Sequence, residues 1–247
     1  MLIQQYFDQV QALFTKISDS QNSVMREAAA RIAEAIHQGG IVHLFGTGHS
    51  HMLAEEGYYR AGGLAAIRPI FIESLMLHEG AVRSTNLERQ EDLAVTFMVE
   101  EDIRPGDVLV VFSTSGKNPV PIDVALRGKE KGAFVITLSS HLYTKEQTSR
   151  HRSGKFLSDV ADIAIDNGSP LGDAVMQHDQ LPVSFASTST VVGAAVMNAI
   201  FAEAIGIMAD KGGEPPVFLS GNVDGAAEHN SKLMKKYADR IDFGAVE

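Results

Sequence analysis

Apolar residues recur at helical spacing from Gln4 to about Ile17, at Tyr6, Phe7, Val10, Leu13, Phe14 and Ile17, which predicts an amphipathic helix. The polar stretch SDSQNS interrupts the pattern. Val24–His37 resumes it, and Gly39-Gly40 ends it, so two helices, or one with a break, are expected before the first strand. Short apolar runs then alternate with helical patterns. The expected strands are Ile41–Phe45, Ala66–Ile72 ending at Glu73, Asp107–Phe112, Phe134–Leu138 ending in Ser139-Ser140, and Ala161–Ile165. Between them HMLAEEGYYRA and about Pro121–Lys131 read as helices. Such alternation implies right-handed crossovers and an α/β fold, a doubly wound five-stranded parallel sheet flanked by helices. The expected organisation is an N-terminal helical segment packing on the core over 1–38, an α/β domain over 39–212, and a C-terminal helical extension over 213–247.

Val191–Ala209 is apolar over 19 residues apart from Asn198 and Glu203. A carboxylate near the middle of a membrane span costs about 2.5–3.5 kcal/mol, so a covered helix is expected there, inside the domain or against a second copy. The formal net charge of -10 repels polyanions at long range, and the basic runs are too short to grip a nucleic-acid backbone. The absence of cysteine removes thiolate metal sites, iron–sulfur clusters and thiol nucleophiles. MLIQQYFDQVQALF lacks the basic start and unbroken apolar stretch of a signal peptide, so a cytoplasmic address is expected.

The strongest local signal is Ser113-Thr114-Ser115-Gly116-Lys117-Asn118, three hydroxyls leaving a buried strand and meeting a glycine and the proline-marked start of a helix. Hydroxyl donors, close backbone approach at Gly116 and unpaired helix N–H groups together suit an anion. Each charged hydrogen bond contributes about 1.5–3 kcal/mol, so four or five would hold a phosphate. A plain capping turn accounts for one or two of the hydroxyls. The companion loop, Gly46-Thr47-Gly48-His49-Ser50, has His51 where a dinucleotide fingerprint needs its third glycine. No G-x-x-x-x-G-K-S/T sequence is present, and no cofactor is expected.

FGTGHS after the first strand, VFSTSGKNP after the third, TLSS after the fourth and STST before the long apolar helix together resemble proteins of the sugar isomerase (SIS) fold, over about residues 25–210. The resemblance implies a phosphosugar ligand at the carboxyl ends of the strands and a dimer or higher oligomer, here through the apolar helix 191–209. It implies that Ser113, Thr114 and Ser115 grip the phosphate and that Ser50 is the hydroxyl of the first loop; Gly48, His49, Asn118 and Ser139, in these same loops, complete the expected ligand-binding set. Asn118 stands where the family commonly has threonine.

Isomerisation needs a base beside a carbonyl and an acid for its oxygen. Glu73 and Glu79, after the second strand, are candidates because carboxylates at strand ends favour function. Glu55 lies on the helix after the first loop, and His229 offers a proton carrier from the C-terminal extension. Each also suits a solvated or capping role. His49 lies in the first loop and His51 beside it, but no H-x-x-x-H or H-E-x-x-H spacing occurs, so no metal is expected. Two functions stay open: a phosphosugar isomerase or related lyase, and a noncatalytic phosphosugar-binding regulator. The 40 residues before the first strand are too poor in basic groups for a DNA-binding domain.

Overall fold

The computed structural model describes residues 1–244; the last three residues of the expected C-terminal extension lie outside the described residues. Five parallel strands form one sheet in the order β2-β1-β3-β4-β5. They are β1 (Val42–Gly46), β2 (Ile67–Pro69), β3 (Val108–Phe112), β4 (Phe134–Ser139) and β5 (Ile163–Asp166). The chain runs from β1 outward to β2, then returns to the other side of β1 with β3, paired Val42 to Val108 through Gly46 to Phe112. That reversal opens a crevice beyond the carboxyl ends of β1 and β3.

Strand side chains alternate between two cores. Val108, Val110 and Phe112 face one side, and Leu109 and Val111 face the other. The first side is covered by α1 (Leu2–His37), α2 (His51–Gly57) and α8 (Ser189–Asp210); the second carries α3 (Ala81–Leu87), α4 (Leu93–Met98), α5 (Pro119–Glu130) and α7 (Leu157–Val160), and α6 (His141–Glu146) follows β4 at its carboxyl end. The expected break in the N-terminal helix is absent, and α1 runs unbroken for 36 residues. Its polar stretch keeps helical geometry because Ser20 Oγ donates back to the carbonyl of Lys16 at 2.7 Å, while Gln21 Oε1 accepts from Asp166 N at 3.1 Å.

β2 is shorter than expected. Pro69 has no N–H for the ladder, and only Ile70 N still reaches Leu44 O, at 2.8 Å. The chain then turns away, so Glu73 opens a 3₁₀ turn instead of ending a strand. α8 buries Val192, Val196, Met197, Ile200 and Phe201, while Val191, Ala195, Ala199 and Ala202 stay exposed. By length and composition it is the kind of helix able to cross a membrane.

The C-terminal segment returns to the amino ends of the strands. Phe218 and Pro216 carbonyls accept from Gly62 N and Ala65 N at 2.8 and 2.7 Å. After α9 (Ala226–Tyr237), Arg240 Nη2 donates to Asp107 Oδ2 at 2.6 Å and Arg240 Nε to Asp102 Oδ2 at 2.8 Å.

Candidate functional site

The crevice above β1 and β3 is a cleft of about 360 Å³ whose walls are hydroxyl-rich. Its floor is the two expected loops. Gly46 is obligatory there, since a Cβ would stand 2.4 Å from the Ser50 carbonyl oxygen. Gly48, His49 and Ser50 follow it along one wall. Ser113, Thr114 and Ser115 form the opposite wall. Gly116, at φ +58°, turns this loop back over β4, and its N–H donates to Ser113 Oγ at 3.3 Å. The amides of Thr114 and Ser115 donate to no other group among the described residues, which leaves two backbone donors beside three hydroxyls. A larger hollow of about 450 Å³ at the amino ends of the strands holds charges already matched, such as Lys129 Nζ on Asp162 Oδ1 at 2.6 Å.

The start of α5 contributes less to an anion than its sequence suggests. Pro119 and Pro121 have no N–H, and Val120 N donates to the Glu88 carbonyl at 3.2 Å. Asn118 is likewise engaged. Its Nδ2 donates to Glu88 Oε1 at 2.7 Å, and its Oδ1 accepts from Arg150 Nη1 at 2.9 Å. Ser139 is buried beneath Gly116, its Oγ 3.5 Å from where a Cβ on that glycine would sit, so it supports the loop from below and does not line the cleft.

The carboxylate that does reach the cleft is Glu88, just past the end of α3, and sequence reasoning missed it. Oε2 accepts from Thr47 Oγ1 at 2.8 Å and Oε1 from Asn118. Burial pushes its pKa above the ordinary glutamate value; the Thr47 hydrogen bond and the Arg89 and Arg150 charges pull it back without cancelling the rise. Asp173 is the second missed carboxylate. It holds the start of α8 by accepting from Thr188 N at 3.1 Å and Ser189 N at 2.9 Å. Thr85, Tyr143, Ser187, Ser189 and Thr190 add further hydroxyls, whereas Ser84 is buried and donates its Oγ to the Leu75 carbonyl at 2.7 Å. The STST run was the sequence signal for the last of these; nothing in NLERQED singled out Glu88.

The four expected acid–base groups do not meet in this cleft. Glu73 and Glu79 are exposed on the 3₁₀ turns after β2, with Glu79 4.0 Å from His78. Glu55 is exposed on the outer side of α2, 3.6 Å from His51 Nε2. His51 is buried and turned back to the Gly48 carbonyl. His229 Nε2 bonds the Val217 carbonyl at 2.8 Å, so it ties α9 to the C-terminal loop. The short β2 accounts for Glu73 and Glu79 and the packing of the extension at the amino ends of the strands for His229, while Glu55 is displaced by its place on the exposed face of α2. His49 alone among the expected titratable groups is both exposed and at the cleft.

Comparison with known proteins agrees with this architecture. Residues 5–140 match the family model described as the SIS domain. A UPF0309 protein of Geobacillus kaustophilus is 55% identical over 240 residues, covering 97% of this chain and 96% of its own. Another, from Halalkalibacterium halodurans, is 53% identical and covers 100% of this chain and 98% of its own. Among solved structures, a phosphoheptose isomerase of Neisseria gonorrhoeae superposes with a TM-score of 0.52 at 14% identity, covering 83% of this chain and 97% of that one. One from Francisella tularensis gives 0.52 at 14% identity, covering 82% and 95%.

Proposed function

Because the chain belongs to the SIS domain family, within its UPF0309 branch, we propose that it binds a phosphorylated sugar or amino sugar above β1 and β3 and moves a proton on it. The ligand class is supported by the hydroxyl-lined cleft and by the names of the two isomerases that share the fold. In this reading the phosphate sits among Ser50, Ser113, Thr114 and Ser115, taking hydroxyl and amide donors. The sugar hydroxyls face Thr85, Tyr143 and Thr190. The exposed face of α8 around Ala195 and Ala199 carries a second copy of the chain, and the protein works in the cytoplasm without a cofactor.

Glu88 carries the catalytic part. A carboxylate with raised proton affinity is suited to take a proton from carbon. Removing the proton from the carbon beside a carbonyl gives an enediol. Returning it to the former carbonyl carbon, while the carbonyl oxygen gains a proton and the neighbouring hydroxyl loses one, exchanges aldose for ketose. His49 faces the oxygens. A second reading has its own support: both Glu88 oxygens already accept hydrogen bonds, as in a carboxylate that only braces the two loops of a noncatalytic binding protein.

A phosphosugar panel incubated with the protein in heavy water separates the two. Carbon-bound deuterium should appear with the true substrate. Glu88→Gln should lower that exchange by at least about a hundredfold while phosphosugar affinity is kept, and Ser115→Ala should weaken binding about tenfold or more. Binding without exchange would sink the isomerase reading and favour the brace; no binding across the panel would sink both.

A further inference from the structure

Three side chains distant in sequence converge beside the cleft: Glu91, after α3; Asp123, on α5; and His151, in the loop after α6. One donor atom from each lies within 4.8 Å of the others. His151 Nε2 stands 3.0 Å from Asp123 Oδ1 and 3.7 Å from Glu91 Oε2. Ligands bound tetrahedrally at about 2.1 Å from an ion sit about 3.4 Å apart, and these separations bracket that spacing. The His151 and Asp123 side chains are 4% and 9% exposed. Glu91 Oε2 is itself shielded from water and receives no hydrogen bond, although the Arg152 guanidinium stands 3.6 Å away.

His151 Nδ1 accepts from Ser153 N at 3.2 Å and lies 2.7 Å from Ser153 Oγ, so without an ion Nε2 carries the ring proton toward Asp123. An ion bound at Nε2 takes that proton's place, and the Ser153 hydroxyl is the acceptor for a proton at Nδ1. The geometry points to a site for one divalent transition-metal ion of the zinc class, bound by Glu91, Asp123 and His151 with one position open to water. The imidazole donor argues against magnesium or calcium, which take oxygen ligands. Sequence spacing could not announce the site, since Asp123 and His151 alone are 28 residues apart. Its place gives it a role: Glu91 follows Glu88 by three residues and Asp123 follows Asn118 by five, so the ion would staple together the two segments whose side chains meet at 2.7 Å in the cleft.

The test uses the full chain stripped with a chelator, dialysed and titrated with zinc chloride, reading bound metal by elemental analysis and the melting temperature in parallel. One equivalent should bind and raise the melting temperature. His151→Gln and Glu91→Gln should each weaken zinc by more than about tenfold, and magnesium should not substitute. Absence of retained zinc, unchanged binding in the variants (adventitious zinc on exposed histidines such as His49), or an equal response to magnesium would each overturn the assignment. Glu91 is 32% exposed, so Glu91→Gln decides the matter even if the His151 variant folds poorly.

Discussion

Asp107 and Glu88 are shielded carboxylates at opposite ends of the same sheet, and their proton affinities move in opposite directions. Asp107, just before β3, would be raised by its burial, but it accepts from His43 Nε2, Ile41 N, Arg240 Nη2 and Arg104 N, and this donor shell holds it well below the usual carboxylate range. Glu88, above the other end, has one hydroxyl and one amide as partners, with its cations farther off, and burial prevails. Shielding alone therefore does not decide the role of a carboxylate; the number and charge of its donors do. At the amino ends of the strands the chain spends donors on a fixed charge that anchors the C-terminal segment. At the carboxyl ends it withholds them.

The largest effect should come from removing the anchor. Asp107→Ala takes one of two carboxylates from the Arg240 guanidinium, whose side chain is 12% exposed and keeps Asp102, and leaves the buried His43 Nε2 and two backbone amides without their acceptor. Breaking such a pair costs about 3–5 kcal/mol, measurable as a fall in the denaturant midpoint. The pH dependence has a defined sign. A carboxylate with a depressed folded pKa stabilises above its unfolded value, near 3.9, and that contribution is lost as the pH falls toward the folded value. The gap between wild type and Asp107→Asn should thus be widest near neutrality and close in acid. A gap that persists unchanged at acid pH would break the comparison.

The sheet and the serine-rich loop were legible because buried parallel strands read as unbroken apolar runs, and a loop that must turn beneath a ligand shows its glycine and hydroxyls in sequence. Glu88 was not legible. Its partners lie 41 and 30 residues away, and the short helices around it carry no long period. Glu73 misled because Pro69 ends the ladder early, a consequence of a single missing N–H. The polar stretch in α1 misled for the opposite reason: Ser20 and Gln21 find partners without leaving the helix, one within its own turn and one across to β5. The helix N–H groups expected to hold an anion were lost to the same two prolines that marked the helix start. Distant contacts and local donor counts, not composition, decided each case.

A smaller effect with the reverse pH trend should follow from Glu88→Gln. Glutamine keeps an acceptor for Asn118, and the Thr47 hydroxyl can rotate to accept from the new amide. A raised folded pKa means that ionisation in the native state costs stability, so the cost is absent below the unfolded value, near 4.3, and grows as the pH rises through the folded one. Glu88→Gln should therefore equal wild type in acid and match or exceed it above neutrality, by much less than the Asp107 loss. Denaturation at pH 4 and pH 8 measures this; a variant that weakens as the pH rises would reverse the assignment of Glu88 as the under-served carboxylate.

The smallest effect tests whether the cations around Glu88 act at a distance. Arg150 lowers the Glu88 pKa through its charge, the weakest of the opposing causes, and touches it only by way of Asn118. Arg150 is exposed, so water and salt screen most of its field. Arg150→Gln should raise the Glu88 titration midpoint slightly, followed by the carboxyl carbon resonance across the pH range. Added salt should move the wild-type midpoint the same way and the variant's less, since the charge being screened is gone. If the variant's midpoint falls instead, Arg150 acts chiefly by orienting Asn118, and donor geometry alone separates the two ends of the sheet.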